Sequence, residues 1–343
     1  MKLPALRTNL VHGLLLPVAL AVVAMAGPAQ AAKPPESPVT TAAQDAFWWG
    51  DFADLEKQNA YFKQPGRFNQ EGASQLTQFR KGIQIVFDNN VENTEAYLKE
   101  MDALTLQWAT EHPKSAVAHI LHAHSLAEHG WSYRGGSYAK VVPEHAWKDF
   151  YAYLRRAATY LKDHADVALT DSYAHVVLLR IGRGLEWEDK QMAAIASEGL
   201  TRNPDDLELY FDVSGNLLPK WGGNAKVLDN FIQHATKQTR EKFGLGMYAR
   251  LYSAAAEDQY GQALFEDSHA DWDKMKQGFE DMLARYPNGP LRRNRYAYMA
   301  CIAKDKPTLL KLLGELGTKF ELSEWGKNPE RGLELCKRWA TQL

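Results

Sequence analysis

Three times along this chain an amphipathic stretch stops just before a proline: at Glu111-His112-Pro113, at Arg202-Asn203-Pro204 and at Arg285-Tyr286-Pro287. Proline lacks the N–H that a helix interior needs, and it drives the preceding residue out of the helical region. Each site therefore marks a helix end, and apolar residues at helical spacing resume shortly after each one. Thr94–Glu111 shows the pattern clearly, with Tyr97, Met101, Leu104 and Trp108 on one stripe. The same reading predicts helices over 43–62, 74–86, 114–129, 144–164, 167–181, 190–200, 207–217, 224–237, 240–255, 271–285, 292–303, 306–316 and 329–339. No run alternates apolar and polar residues strictly, and Asn288-Gly289 lies between helical stretches rather than between β-rich ones. The expected fold class is all-α.

The helix–proline–helix punctuation resembles the second half of a tetratricopeptide repeat, most clearly where Phe279, Met282 and Leu283 precede Pro287. The spacing is irregular, and the tryptophan and glycine of a regular repeat are absent. The chain reads as a degenerate α-solenoid over 43–343, whose concave face is the default binding surface.

The start of the chain carries a different signal. Lys2 and Arg7 precede an apolar run from Leu10 to Ala26, which closes at Ala29-Gln30-Ala31. A short basic start, a short apolar stretch and a small-x-small ending predict a cleaved secretory signal peptide over 1–31. No cysteine lies at the cleavage point to take a lipid. Pro34, Pro35 and Pro38 predict a flexible linker over 32–42. The expected location is periplasmic or secreted.

Charge narrows the partners. Loss of Lys2 and Arg7 takes the net charge from −2 to −4. A mildly acidic, mixed surface without a polybasic run argues against nucleic acid and against anionic membrane as the main partner. An oxidising compartment permits Cys301 and Cys336 to pair, the alternative being two buried thiols on neighbouring helices. The 10 tryptophans and 15 tyrosines serve either to wedge helices together or to line a groove.

Two segments fall outside helical periodicity: Trp131-Ser132-Tyr133-Arg134-Gly135-Gly136-Ser137-Tyr138-Ala139, and Leu217-Leu218-Pro219-Lys220-Trp221-Gly222-Gly223-Asn224. Both join aromatics, a cation and paired glycines. Paired glycines permit left-handed backbone or close approach, and Asn224 can cap the helix that follows. On these segments the chain resembles the bacterial domain-of-unknown-function 4034 family. Its members carry a tryptophan–Arg-Gly–Tyr-Ala loop after a helix beginning Pro-x-Ser, matched here by Pro113-Lys114-Ser115 and by Trp131 to Ala139. They also carry a Leu-Leu-Pro-x-Trp-Gly-Gly segment, matched from Leu217 to Gly223, and a late helix with Ala-Cys, matched by Ala300-Cys301. The match extends from Glu71 to Leu322. The resemblance implies an all-helical, repeat-like fold and brings no activity and no catalytic residues.

Chemically, Arg134 beside Trp131, Tyr133 and Tyr138, and Lys220 beside Trp221, could hold a carboxylate or stack on a ring. The plainer alternative makes these loops corner pieces, with the arginine satisfying helix-end carbonyls. His112, His119, His122, His124 and His129 crowd one stretch with Glu128, yet no His-Glu-x-x-His pattern is present, so packed or surface histidines are the better reading than a metal site. Glu186-Trp187-Glu188-Asp189 and Asp205-Asp206-x-Glu208 lie at helix starts, where acidic groups favour the dipole. Nucleophile elbows and phosphate loops are missing. The expectation is therefore an exported, non-enzymatic helical-repeat protein that binds a protein or peptide partner in the cell envelope, with neutralisation of a secreted toxin as a specific version. No cofactor or metal is expected. The candidate binding residues are Trp131, Tyr133, Arg134, Tyr138, Lys220 and Trp221. The alternative is a hydrolase or lyase of an envelope polymer working around Arg134.

Overall fold

The computed structural model describes residues 37–342, apart from 85, 86, 88–92 and 137. The expected signal peptide, and the linker as far as residue 36, lie outside these residues. Among the described residues the chain is all-α, with no β-strand beyond one isolated bridge between Phe68 and Ser74. The first group of helices is α1 (Pro38–Trp48), α2 (Phe52–Phe62), α3 (Gln75–Gln84), α4 (Thr94–Glu111), α5 (Ala116–Arg134) and α6 (Glu144–Asp163). Next come α7 (Ala165–Ala168), α8 (Tyr173–Gly184), α9 (Asp189–Arg202), α10 (Leu207–Asn216), α11 (Ala225–Phe243) and α12 (Gly246–Ala255). The last are α13 (Leu264–Asp267), α14 (Trp272–Arg285), α15 (Pro290–Ile302), α16 (Lys306–Leu316) and α17 (Pro329–Thr341). No helix among the described residues is long and apolar enough to cross a membrane.

The three proline-marked ends are built alike. The capping residues His112, Asn203 and Tyr286 have φ/ψ of −123°/66°, −134°/67° and −128°/68°. Each cap N–H still reaches the carbonyl four residues back, on Trp108, Gly199 and Met282. These ψ values lie outside the helical region, which a following proline disfavours. The next helix then starts from Ser115, Asp206 or Gly289. Helices joined this way lie side by side and bury their apolar stripes on each other.

Some boundaries depart from the sequence reading. Helix α1 begins at Pro38, inside the expected linker, because Ser37 caps it by accepting from Thr40 N and proline suits the first turn. The single helix expected over 43–62 is two, broken where Gly50 takes φ 66° and Asp51 caps α2 through Asp54 N. Helix α11 runs on to Phe243 and stops at Gly244, φ 58°, where a Cβ would lie 2.2 Å from the Asp281 carboxylate. The helix expected over 167–181 breaks around Leu169–Ser172, where Asp171 turns inward.

Two apolar cores form inside one compact unit, and Leu200, Leu217 and Phe231 pack against both. The first centres on Phe47, Phe79, Trp108, Phe150 and Tyr173; the second on Ile232, Tyr248, Tyr252, Phe279 and Trp325. A large aromatic ring removes about 200 Å² from water, on the order of 5 kcal/mol before the entropy of ordering is set against it.

Arg80 of α3 is buried in the first core. Its Nη1 donates to Asp206 Oδ2 at 2.7 Å and to Glu208 Oε2 at 2.8 Å; its Nη2 donates to Asp171 Oδ1 at 2.8 Å and Ser172 Oγ at 3.2 Å. Lys63 adds a second cation 2.9 Å from Asp171. The acidic run at 205–208, expected only to favour a helix start, thus also neutralises a buried guanidinium. Burial, reinforced by Asp206, pushes the Glu208 carboxyl up to about 7 against the opposing pull of Arg80.

The segment between α2 and α3 spans the two cores. The Glu71 carboxylate accepts from the backbone N–H groups of Leu291 and Arg292 at 3.2 and 3.0 Å, capping α15 from 220 residues away in sequence. Arg250 donates to Gly72 O at 2.7 Å, and the Phe68 ring packs on Phe243 and Tyr286. Gly72 is required here, since a Cβ would meet the Tyr286 ring at 2.5 Å. At the far end, Cys301 on α15 and Cys336 on α17 form a disulfide, and no free cysteine remains.

Candidate functional site

Three helices each present one stripe to a common groove. Helix α5 supplies His124, Glu128 and Trp131; α8 supplies Val176, Val177, Arg180 and Arg183; α10 supplies Glu208, Phe211 and Asp212. The spacings of three and four residues put each set on one helix face. Two open cavities of about 410 and 420 Å³ share Arg180, Arg183 and Trp221 in their linings and so form one continuous groove.

Both loops singled out in the sequence meet at this groove. Helix α5 ends at Gly135, φ 66°, leaving Trp131 and Arg134 on the groove wall. Gly184 makes room for Trp131, whose ring would lie 3.2 Å from a Cβ there. From the other side, Pro219–Trp221 form a 3-10 turn that ends at Gly222, φ 90°. Gly223 then folds so tightly that a Cβ would sit 1.9 Å from Leu217 O, and Asn224 caps α11 by accepting from Val227 N at 3.0 Å. The outcome is that Trp131 and Trp221, 90 positions apart, stand edge to face with centroids 6.4 Å apart.

The remaining candidates separate. Lys220 lines the second cavity, where its Nζ donates to Asp258 O at 3.2 Å on the π-helical turn Ala256–Tyr260. Tyr133 is not in the lining of either cavity; its hydroxyl donates to Glu95 Oε2 at 2.5 Å and its ring stacks on His129. Tyr138 is 81 % exposed and lies outside both linings. Sequence reasoning missed Arg180, Arg183 and Asp212, and weighed Glu128 only with the histidines as a metal ligand. The available signal was two arginines on one face of α8, an otherwise apolar helix.

Arginine and tryptophan dominate the electrostatics. Arg180 pairs with Glu128, Nε to Oε1 at 2.5 Å, and lies 5.7 Å from the Trp131 centroid. Arg134 lies 5.6 Å from the same ring and donates to Gly135 O at 3.0 Å; Arg183 stands 4.7 Å over Trp221. Burial would raise the Glu128 carboxyl, but Arg180 and His124 outweigh it and hold it down at about 2. Asp212 goes the other way, raised by burial despite Arg183 and Arg180. Burial also lowers the Arg183 guanidinium.

The histidines divide among separate contacts. His119 bonds Tyr160 and Pro113 O, His122 faces Thr105, His124 bonds Tyr173 and Glu128, and His129 bonds Asp102 and Glu95. No group of three His, Cys, Asp or Glu side chains among the described residues could hold a metal ion. Burial depresses His122 to about 4. A base depressed in the folded state binds protons better when unfolded, so its contribution is full at neutral pH and is lost as pH falls from about 6.5 toward 4. The His122→Gln variant, compared with the parent by urea unfolding, is expected to gain about 2 kcal/mol of relative stability between pH 7.5 and pH 5. A flat difference would show that His122 titrates normally.

No protein-family model, curated protein or solved structure matches this chain.

Proposed function

We propose that this chain is an exported, non-enzymatic binding protein of the cell envelope, and that the Trp131–Trp221 groove holds a segment of a protein or peptide partner. The observation that carries the reading is the convergence of two sequence-distant loops on one groove, with indoles 6.4 Å apart and four cations, Arg134, Arg180, Arg183 and Lys220, along it. Tryptophan and arginine are the side chains that contribute most per residue to protein recognition. A ready nucleophile–base pair is not among the groove residues, and Glu128 is engaged by Arg180 and His124. The resemblance to the domain-of-unknown-function 4034 family belongs to this proposal, resting on the two loop segments and supplying a fold without an activity. Neutralisation of a secreted toxin is its narrower form.

The test is affinity capture from the cell envelope with the tagged chain from residue 32 onward and its Trp221→Ala variant. Trp221 is 39 % exposed, so its removal leaves the cores intact. One stoichiometric protein partner, held at least roughly tenfold more weakly by the variant, is expected. Equal capture by both proteins would remove the groove from the reading. The second reading, a polymer hydrolase or lyase, draws on Asp212, a raised carboxyl in the cavity wall that could serve as a general acid. Envelope-polymer cleavage abolished by Asp212→Asn would establish it.

A further inference from the structure

The cations of the groove are not equivalent. Arg134 donates to Gly135 O, Arg180 is paired with Glu128, and Lys220 donates to Asp258 O. Arg183 is half-buried, its Nε has no acceptor among the described residues, and its guanidinium stands over the Trp221 ring, with Asp212 and Glu128 acting on it through charge but no hydrogen bond to either. The other buried or half-buried arginines whose Nε lacks a well-formed hydrogen bond, Arg67, Arg180, Arg250 and Arg292, use their terminal nitrogens on Gln64, Glu128, Gly72 O and Glu71 O. Keeping a desolvated N–H without an acceptor costs free energy, and an acceptor supplied from outside would recover it.

The geometry narrows that acceptor. A guanidinium carries its N–H donors in its own plane, and a planar oxyanion meets such a fork with two parallel bonds. Trp131, Trp221 and Phe87 supply apolar wall for whatever carries the anion. The same groove is otherwise acidic, with Glu128, Glu208, Asp212 and Asp258 in its lining, Asp212 and Glu128 being near enough to act on Arg183. A polymer bearing a carboxylate on every unit would meet those groups unfavourably, whereas a chain bearing one carboxylate at the right place would not.

We infer that Arg183 is the residue that reads the ligand, and that it takes an isolated carboxylate carried by a peptide, seated beside Trp131 and Trp221. This rests on the binding role proposed above and names its partner chemistry. The carboxylate has two sources, an acidic side chain or a chain terminus.

Titration of the full mature chain, labelled with ¹⁵N at arginine and tryptophan, separates them. The probes are Ala-Ala-Glu-Ala-Ala blocked at both ends, its Gln counterpart blocked at both ends, the Gln peptide with a free C-terminus, and trigalacturonate. The Nε–H resonance of Arg183, identified by its loss in Arg183→Lys, and the Trp221 indole resonance are the readouts. The expected result is movement of both resonances with the Glu peptide or with the free-acid Gln peptide, whichever source is used, and binding at least roughly tenfold weaker for the doubly blocked Gln peptide. Arg183→Gln, checked for retained helicity by circular dichroism, should weaken binding by a similar factor, with Arg183→Lys intermediate. Equal binding of the doubly blocked Gln peptide, no shift with any peptide, unchanged affinity in Arg183→Gln, or tighter binding of trigalacturonate would each overturn the inference. Partner capture that depends on Trp221 but not on Arg183 would leave the binding role standing and this inference refuted.

Discussion

Replacing Arg80 with methionine is expected to destabilise the fold by about 3–5 kcal/mol, the cost of leaving buried carboxylates without their cation. Asp171, Asp206 and Glu208 all bond this one guanidinium, and Arg80 and Asp171 have side chains only 1 % exposed. Methionine has similar reach, so packing is largely kept and the electrostatic part dominates. The deficit should depend on pH. Glu208 is already raised to about 7 in the parent, so the folded state binds its proton more tightly than the unfolded chain does. Its contribution is therefore full below the ordinary carboxylate range and is lost as pH rises through about 7. Without Arg80 the Glu208 carboxyl favours protonation still more, and urea unfolding should show a larger deficit at pH 8 than at pH 5.5. A deficit below 1 kcal/mol, or one independent of pH, would mean that the cluster relaxes to solvent.

Breaking the Cys301–Cys336 bond, as the double serine variant or by reduction, should cost about 3–4 kcal/mol on the chain-entropy account, because it frees a closed loop of 35 residues in the unfolded chain. The loss should be greatest at the C-terminal end. Helix α17 packs through Leu333, Cys336 and Ala340 and is the last helix of the chain, so amide exchange there should rise before exchange in α12 or α14 does. Uniform protection in the reduced protein would show that packing alone holds α17.

The sequence spoke most clearly where a single residue dictates backbone geometry. Pro113, Pro204 and Pro287 each follow the same non-helical cap, so three turns were legible without tertiary information. The all-α class followed from the same punctuation. Gly50 and Gly244 were harder, because a glycine inside an apolar pattern reads equally as a tolerated helix residue; each takes a left-handed φ beside a helix start, where Asp51 caps α2 and Asp281 accepts from Leu245 N. Arg80 was illegible, since its carboxylates lie 91 to 128 residues away and nothing local distinguishes a buried arginine from a solvated one. In the groove, Trp131 and Trp221 could be named from their unusual loops. That they face each other is a product of how α5 and α10 end. Tyr133 shared the loop composition but sits two residues after Trp131 on α5, which rotates it to the other face, toward Glu95.

The reach of Glu71 to the start of α15 alters how such a molecule comes apart. A stack of helical pairs that touch only their neighbours loses stability pair by pair, and its ends can melt or be trimmed while the middle stays folded. Here the α2–α3 segment caps α15, so the helices between them are tied at both ends, and only α16 and α17 lie beyond the tie on the C-terminal side. Removing α15 would take away a partner of the α2–α3 segment, and cutting that segment would uncap α15. The ring of contacts makes unfolding closer to all-or-none than repeat architecture ordinarily allows, and it makes folding wait for a loop of more than 200 residues to close.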